Sequence, residues 1–176
     1  MISSPRLILR TLTAHQAEQM LAGTAPDRPV FVDGYPSAFA TQVLRLVALY
    51  PSIDQRTAPD APDLGPWLLV RRAGGVVIGT ISCARTTDPA ELTVGYDIAR
   101  SCWGEGYATE ALVAVVKHLL ALPGIRRVSA ETRTDHLASR RVMEKAGMRW
   151  QHDEIAEHDG REVKLAHYAI DRVAPA

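Results

Sequence analysis

The sequence predicts a mixed α/β (α+β) domain: a mostly antiparallel central sheet of six to seven strands, flanked by about four helices. Three observations predict it. Ala73-Gly74-Gly75 and Asp159-Gly160 each separate two β-rich runs, as hairpin turns do. A long apolar stripe of helical period runs from Ala108 to Leu120. Helical patterns are inserted between the strand patterns, with no internal repeat. At 176 residues the chain suits one domain over 1–176 with a sizeable core.

The elements follow in order. In "RLILRTLT", Leu7 and Leu9 alternate with Arg6, Ile8 and Arg10, which reads as a strand. Thr13 then suits the N-cap of a helix, "AHQAEQMLAG", ended by Gly23. Residues 26 to 66 hold seven of the eleven prolines and one helical pattern, from Ala38 to Leu49. The connection "PSIDQRTAPDAPDLGP" that follows is long enough to be a functional or mobile loop. Two strands flank Ala73-Gly74-Gly75, and "ELTVGYDIA" is another, whose interior Gly95 suggests a bulge or a close backbone approach. Ala108, Ala111, Leu112, Val115, Val116, Leu119 and Leu120 form the helical stripe, which Pro123-Gly124 stops. "IRRVSAET" is a strand, "DHLASRRVMEKAG" a helix closed by Gly147, and the tail a hairpin around Asp159-Gly160.

Composition excludes several classes. Apolar residues at 47% and charged residues at 23% are those of an ordinary globular protein. Twenty basic and twenty acidic side chains balance to zero, whereas nucleic acid and membrane surfaces select a basic excess. No apolar run approaches a membrane span, and the N-terminal one is too short for a secretory leader. Cys83 and Cys102 have no CxxC spacing and read as reduced thiols, so a cytoplasmic location is expected. His152, Asp153 and His158 do not make a convincing metal set, and no metal is expected.

The chemistry concentrates at "ARSCWGEGYATEAL". Gly104 and Gly106 allow a tight turn and a close approach by another group. The helix start that follows offers unpaired N–H groups and the positive end of the helix dipole. Together they suit a phosphate or diphosphate, although a plain connecting turn has the same composition. A Walker loop is excluded because it would require a Gly-Lys pair. A dinucleotide turn fits poorly, because Thr109 stands at its third glycine position and hairpin strands precede it.

"WGEGYATEAL", with "DHLASRRVMEKAGM" about 30 residues later, resembles the GNAT superfamily of acyl-CoA-dependent N-acyltransferases. The likeness is greatest to the branch of ribosomal-protein N-terminal acetyltransferases, RimJ/RimL-like, and runs over roughly Leu7 to Ile170. The resemblance implies that strands 92–98 and 125–132 lie side by side and splay apart. Coenzyme A would enter that gap, its pantetheine pairing with backbone around Ile98, Ala99 and Arg100. Its diphosphate would rest on amides of the loop Trp103, Gly104, Glu105, Gly106, Tyr107, Ala108 and Thr109. Trp103 departs from the family's usual Arg or Gln, which leaves more of the phosphate binding to backbone. His136 stands where the family has Asn; it either donates a similar bond to pantetheine or is an ordinary first-turn residue.

The resemblance further implies acetyl transfer from acetyl-CoA to a primary amine by direct attack in a ternary complex. The acceptor would be a peptide N-terminus or a small-molecule amine, lined by residues 26 to 66 and the final hairpin. Such a reaction requires a neutral amine, an N–H aimed at the thioester oxygen and a donor for the leaving thiolate. Ser139 suits the thiolate, and backbone near Asp97 or Ile98 the oxygen. Glu91 and Asp97 are the candidate bases, with His167 and Tyr168 as further options. A non-catalytic acyl-CoA-binding sensor or partner module is the alternative, because no acid–base set stands out. A homodimer through a sheet edge is compatible with this reading, with no residue specifying it.

Overall fold

Leu7 and Leu9 are fully buried while Arg10 faces solvent, the alternation that makes this segment a strand with one covered face. In the computed structural model, which describes residues 2–22, 30–49, 63–158 and 160–173, it is the second of eight strands. The order is β1 (Ile2–Ser3), β2 (Leu7–Thr11), α1 (Ala14–Ala22), α2 (Ala38–Leu49), β3 (Trp67–Arg71), β4 (Val77–Arg85) and β5 (Glu91–Ile98). Then come α3 (Tyr107–Ala121), β6 (Arg127–Arg133), α4 (Leu137–Lys145), β7 (Arg149–His158) and β8 (Arg161–Asp171). The first four strands lie in the order β1-β2-β3-β4 and the last four in the order β5-β6-β8-β7. The expected count of six to seven is thus corrected to eight. The extra strand is β1, whose two residues pair with Leu9 and Ile8 but are too few to show a period.

The residues group into two compact units, Met1–Cys83 with Tyr96–Ala111, and Ala84–Gly95 with Leu112–Ala176. In the first, β2 pairs antiparallel with β3, and β3 with β4 across the turn where Gly74 and Gly75 have φ of 85° and 65°. Leu12, Ala17, Val43, Leu44, Val47, Leu68, Val70 and Val77 share one apolar cluster. Thr13 caps α1 as expected: its hydroxyl accepts from the Gln16 amide at 3.2 Å, and the Gln16 side chain accepts from the Thr13 amide at 3.1 Å. Gly23, the expected end of this helix, lies outside the described residues, as does most of the proline-rich connection.

In the second unit, β6 pairs antiparallel with β8 and β8 with β7, around a turn at Gly160, whose φ is 71°. One pair is parallel: Glu91, Leu92 and Thr93 of β5 face Arg127, Val128 and Ser129 of β6. That ladder stops at Thr93, although β5 runs on to Ile98 and β6 to Arg133. The stripe on α3 is realised, with Ala111, Leu112, Val115, Val116 and Leu119 buried. Among the described residues no helix is long and apolar enough to cross a membrane.

Candidate acyl-transfer site

β5 ends at Ile98 because the chain leaves the ladder there. The Ala99 amide still donates to the Ile78 carbonyl of β4 at 2.8 Å, and Arg100–Cys102 then form one tight turn. Neighbouring N–H groups of a strand point to opposite edges. With Ala99 turned toward β4, the Ile98 N–H and C=O face the other edge. The Ile98 carbonyl accepts there from the Trp103 indole N–H at 2.7 Å, which holds this exposed ring against the strand end. The Arg100 guanidinium lies over the same ring, 5.8 Å from its centroid.

Gly104 and Gly106 both have φ of 80°, a region that side chains with a Cβ rarely adopt. They turn the chain sharply into α3. The Glu110 amide donates to the Gly106 carbonyl at 3.0 Å, so the amides of Tyr107, Ala108 and Thr109 precede the helix's hydrogen-bonded ladder. A Cβ placed on Gly104 would meet nothing within 4 Å, which leaves that side of the turn open to a ligand.

Sequence reasoning missed two networks within the same unit, one bracing this loop and one at the end of β5. The first surrounds Glu110 in the first turn of α3. Its Oε1 accepts from the Ser4 hydroxyl at 2.6 Å and the Arg6 amide at 2.7 Å, and its Oε2 from Arg6 Nε at 2.6 Å. Arg6 Nη1 also donates to the Glu105 carbonyl at 2.9 Å, and the guanidinium covers the Tyr107 ring at 4.4 Å. Burial alone raises the Glu110 pKa. The Ser4 hydroxyl, the Arg6 amide and the Arg6 guanidinium outweigh it, and the net value lies below the ordinary carboxylate range. A depressed folded-state pKa contributes stability above the unfolded carboxylate value, and that contribution is lost as pH falls through the folded value. Acid denaturation of the wild type should therefore steepen below about pH 4, and Glu110→Gln should lose that part of the acid limb. Urea melts at successive pH values check this.

The second network surrounds Asp97. Its carboxylate accepts from the Tyr35 hydroxyl at 3.0 Å, the Thr80 hydroxyl at 2.6 Å, the Thr80 amide at 3.3 Å and the Ser37 hydroxyl. Ser37 also accepts from the Ala40 amide at 3.0 Å at the start of α2. Burial and the Asp97 charge push the Tyr35 hydroxyl well above its usual pKa, so it stays protonated as a donor. Asp97 thus joins β4, β5 and the segment before α2, with three of these donors on Oδ1 and the Ser37 hydroxyl on Oδ2. Gly79 lies beside it: a Cβ there would collide with the Asp97 carbonyl oxygen and come within 2.8 Å of Ile98 Cδ1. Glu91 opens β5, at the far end of that strand from the loop.

The remaining candidates belong to the second unit. His136 caps α4 with no side-chain bond to its amides, and its Nδ1 lies 3.2 Å from the Thr132 hydroxyl. Ser139 is half-buried in the first turn of α4. Tyr168 is buried; its hydroxyl donates to Glu144 at 2.9 Å and accepts from Arg140 Nε at 3.0 Å. That contact gives Arg140 and Glu144, spaced as an i,i+4 helix pair, a shared partner. His152, Glu154 and His167 have ligand atoms within 4.8 Å of one another. The two rings, however, are stacked at 4.6 Å with planes 10° apart, so their in-plane lone pairs do not converge on one ion. The His158 side chain lies outside the described residues.

Comparison with known proteins places this fold among the acetyltransferases. The family model described as "Acetyltransferase (GNAT) domain" matches residues 6–149, and the chain belongs to that family. An uncharacterised N-acetyltransferase of Bacillus subtilis (strain 168), YoaA, is 27% identical over 148 residues, covering 83% of this chain and 81% of that protein. A RimL ribosomal L7/L12 α-N-protein acetyltransferase in complex with coenzyme A superposes with a TM-score of 0.68 at 21% identity, covering 96% and 95% of the two chains. Mycobacterium smegmatis RimJ, in complex with a coenzyme A disulfide, gives 0.67 at 20% identity over 97% and 86%. The RimJ/RimL-like likeness read from the motifs is therefore matched in the fold.

Proposed function

We propose that the chain transfers an acetyl group from acetyl-CoA to a primary amine by direct attack in a ternary complex. The observation that carries this reading is the pair of positive-φ glycines that opens the start of α3 to an anion. In this reading amides from Gly104 to Thr109 bind the diphosphate, and main chain around Ile98, Ala99 and Arg100 pairs with pantetheine. The Ile98 N–H, turned away from β4, suits the thioester oxygen as charge builds on it. Ser139 suits the departing thiolate, and His136 a contact to pantetheine. Acetyl-CoA supplies the activated acetyl thioester, so no covalent enzyme intermediate is required.

The base is the part on which the geometry bears most. Asp97 has four donors on its carboxylate and is better suited to anchoring than to taking a proton. Glu91 lies at the other end of β5. We therefore give the proton to water, and the acceptor's own acidity then decides specificity. At pH 7 roughly one α-amine in ten is neutral, against roughly one lysine side chain in 2,500. A peptide N-terminus is the favoured acceptor, and a small-molecule amine of similar pKa the next.

Thiol release from acetyl-CoA, measured over a panel of peptide N-termini, lysine peptides and small amines, tests the proposal. Turnover fastest on low-pKa amines is expected; tight coenzyme A binding with no turnover on any amine would instead make the chain a sensor. In the same assay Ser139→Ala should lower kcat by at least about tenfold with little change in the KM for acetyl-CoA. Normal turnover by that variant would remove Ser139 from the mechanism.

A further inference from the structure

Trp103 leaves the diphosphate loop without the cationic side chain that would usually open it. A guanidinium that hydrogen-bonds to the loop comes instead from Arg6, close to the N-terminus. We propose that Arg6 is a positioning residue for the diphosphate loop, acting through Glu105, Tyr107 and Glu110; this rests on the acetyl-CoA reading above.

Arg6 holds the loop at three points at once. Nη1 takes the Glu105 carbonyl, Nε takes Glu110, and the guanidinium plane covers the Tyr107 ring. Its Nη2 lies 3.6 Å from where a Cβ of Gly106 would project. The Glu105 carbonyl and the Gly106 N–H belong to one planar trans peptide, so they point in opposite directions. Drawing the carbonyl toward Arg6 therefore turns the Gly106 N–H outward, as an amide of the anion site. This matters because Gly106, on one side of that peptide, restricts its rotation less than a residue with a Cβ would.

Charge is the second part. Glu110 puts a carboxylate one turn into α3, where it would repel a diphosphate. Arg6 neutralises it at 2.6 Å. The arrangement uses the planar fork of arginine; a lysine ammonium supplies the charge without holding three partners in fixed directions.

The test compares wild type, Arg6→Ala and Arg6→Lys by steady-state kinetics with acetyl-CoA and the best amine of the panel. Arg6→Ala should raise the KM for acetyl-CoA about tenfold or more, with kcat and the amine KM within about twofold of wild type. Arg6→Lys should fall closer to Arg6→Ala than to wild type. An unchanged acetyl-CoA KM, or equal losses in all three parameters, overturns the proposal. Since Arg6→Ala is expected to be less stable, the shift in its Tm on adding coenzyme A is read as well. That shift should be smaller than in wild type, and an undiminished shift overturns the proposal. Wild type that binds no coenzyme A refutes the reading of the loop itself, and does so before any substitution is made.

Discussion

Replacing Gly106 by valine is expected to weaken coenzyme A binding by about ten- to a hundredfold while leaving the chain folded. The cause is conformation. At φ of 80° a β-branched residue carries strain of about 1–3 kcal/mol, and 1.4 kcal/mol corresponds to a factor of ten in affinity. A Cβ by itself meets no clash, since the nearest atom beyond its chain neighbours, Arg6 Nη2, would lie at 3.6 Å. A short surface turn relieves such strain by changing its own path, which moves the amides of Tyr107, Ala108 and Thr109 off the phosphates. Isothermal titration gives the affinity and far-UV circular dichroism the fold. Unchanged affinity in the folded variant would count against the loop as the phosphate site.

Asp97→Ala should be the most destabilising of the site substitutions, by about 3 kcal/mol, which for a chain of this size lowers Tm by roughly 6–12 °C. It leaves the Tyr35, Ser37 and Thr80 hydroxyls and the Thr80 amide without their common acceptor. Asp97→Asn separates anchor from base. As an anchor, Asp97 can be replaced by asparagine with a loss of stability and with the wild-type pH dependence of kcat/KM retained. As a base, its loss would abolish the ascending limb in a protein of nearly normal stability. Calorimetric melts with a pH–rate profile decide between them, and the four donors on the carboxylate predict the first outcome.

Local signals carried most of the fold. The stripe on α3, the Thr13 capping box and the hairpin glycines each encode their element within a few residues, where steric and hydrogen-bonding preferences act directly. β1 was illegible because two residues show no alternation. The loop of the candidate site was legible for the same reason as the helices, since Gly104 and Gly106 stand beside the helix they open. The braces around it were not. Glu110 meets Ser4 and Arg6 across more than a hundred residues, and Asp97 meets Tyr35 and Ser37 across about sixty, so no local pattern marks them. For Asp97 the missing information is its donors, Tyr35, Ser37 and Thr80, which lie on other elements. Gly79 gave no signal either, because its constraint is the backbone of another strand.

A crystal structure of the chain with coenzyme A would locate the diphosphate. Diphosphate oxygens are expected within hydrogen-bond distance, about 2.7–3.2 Å, of main-chain N–H groups between Gly104 and Thr109. A diphosphate bound elsewhere on the chain, with those amides facing solvent, would contradict it.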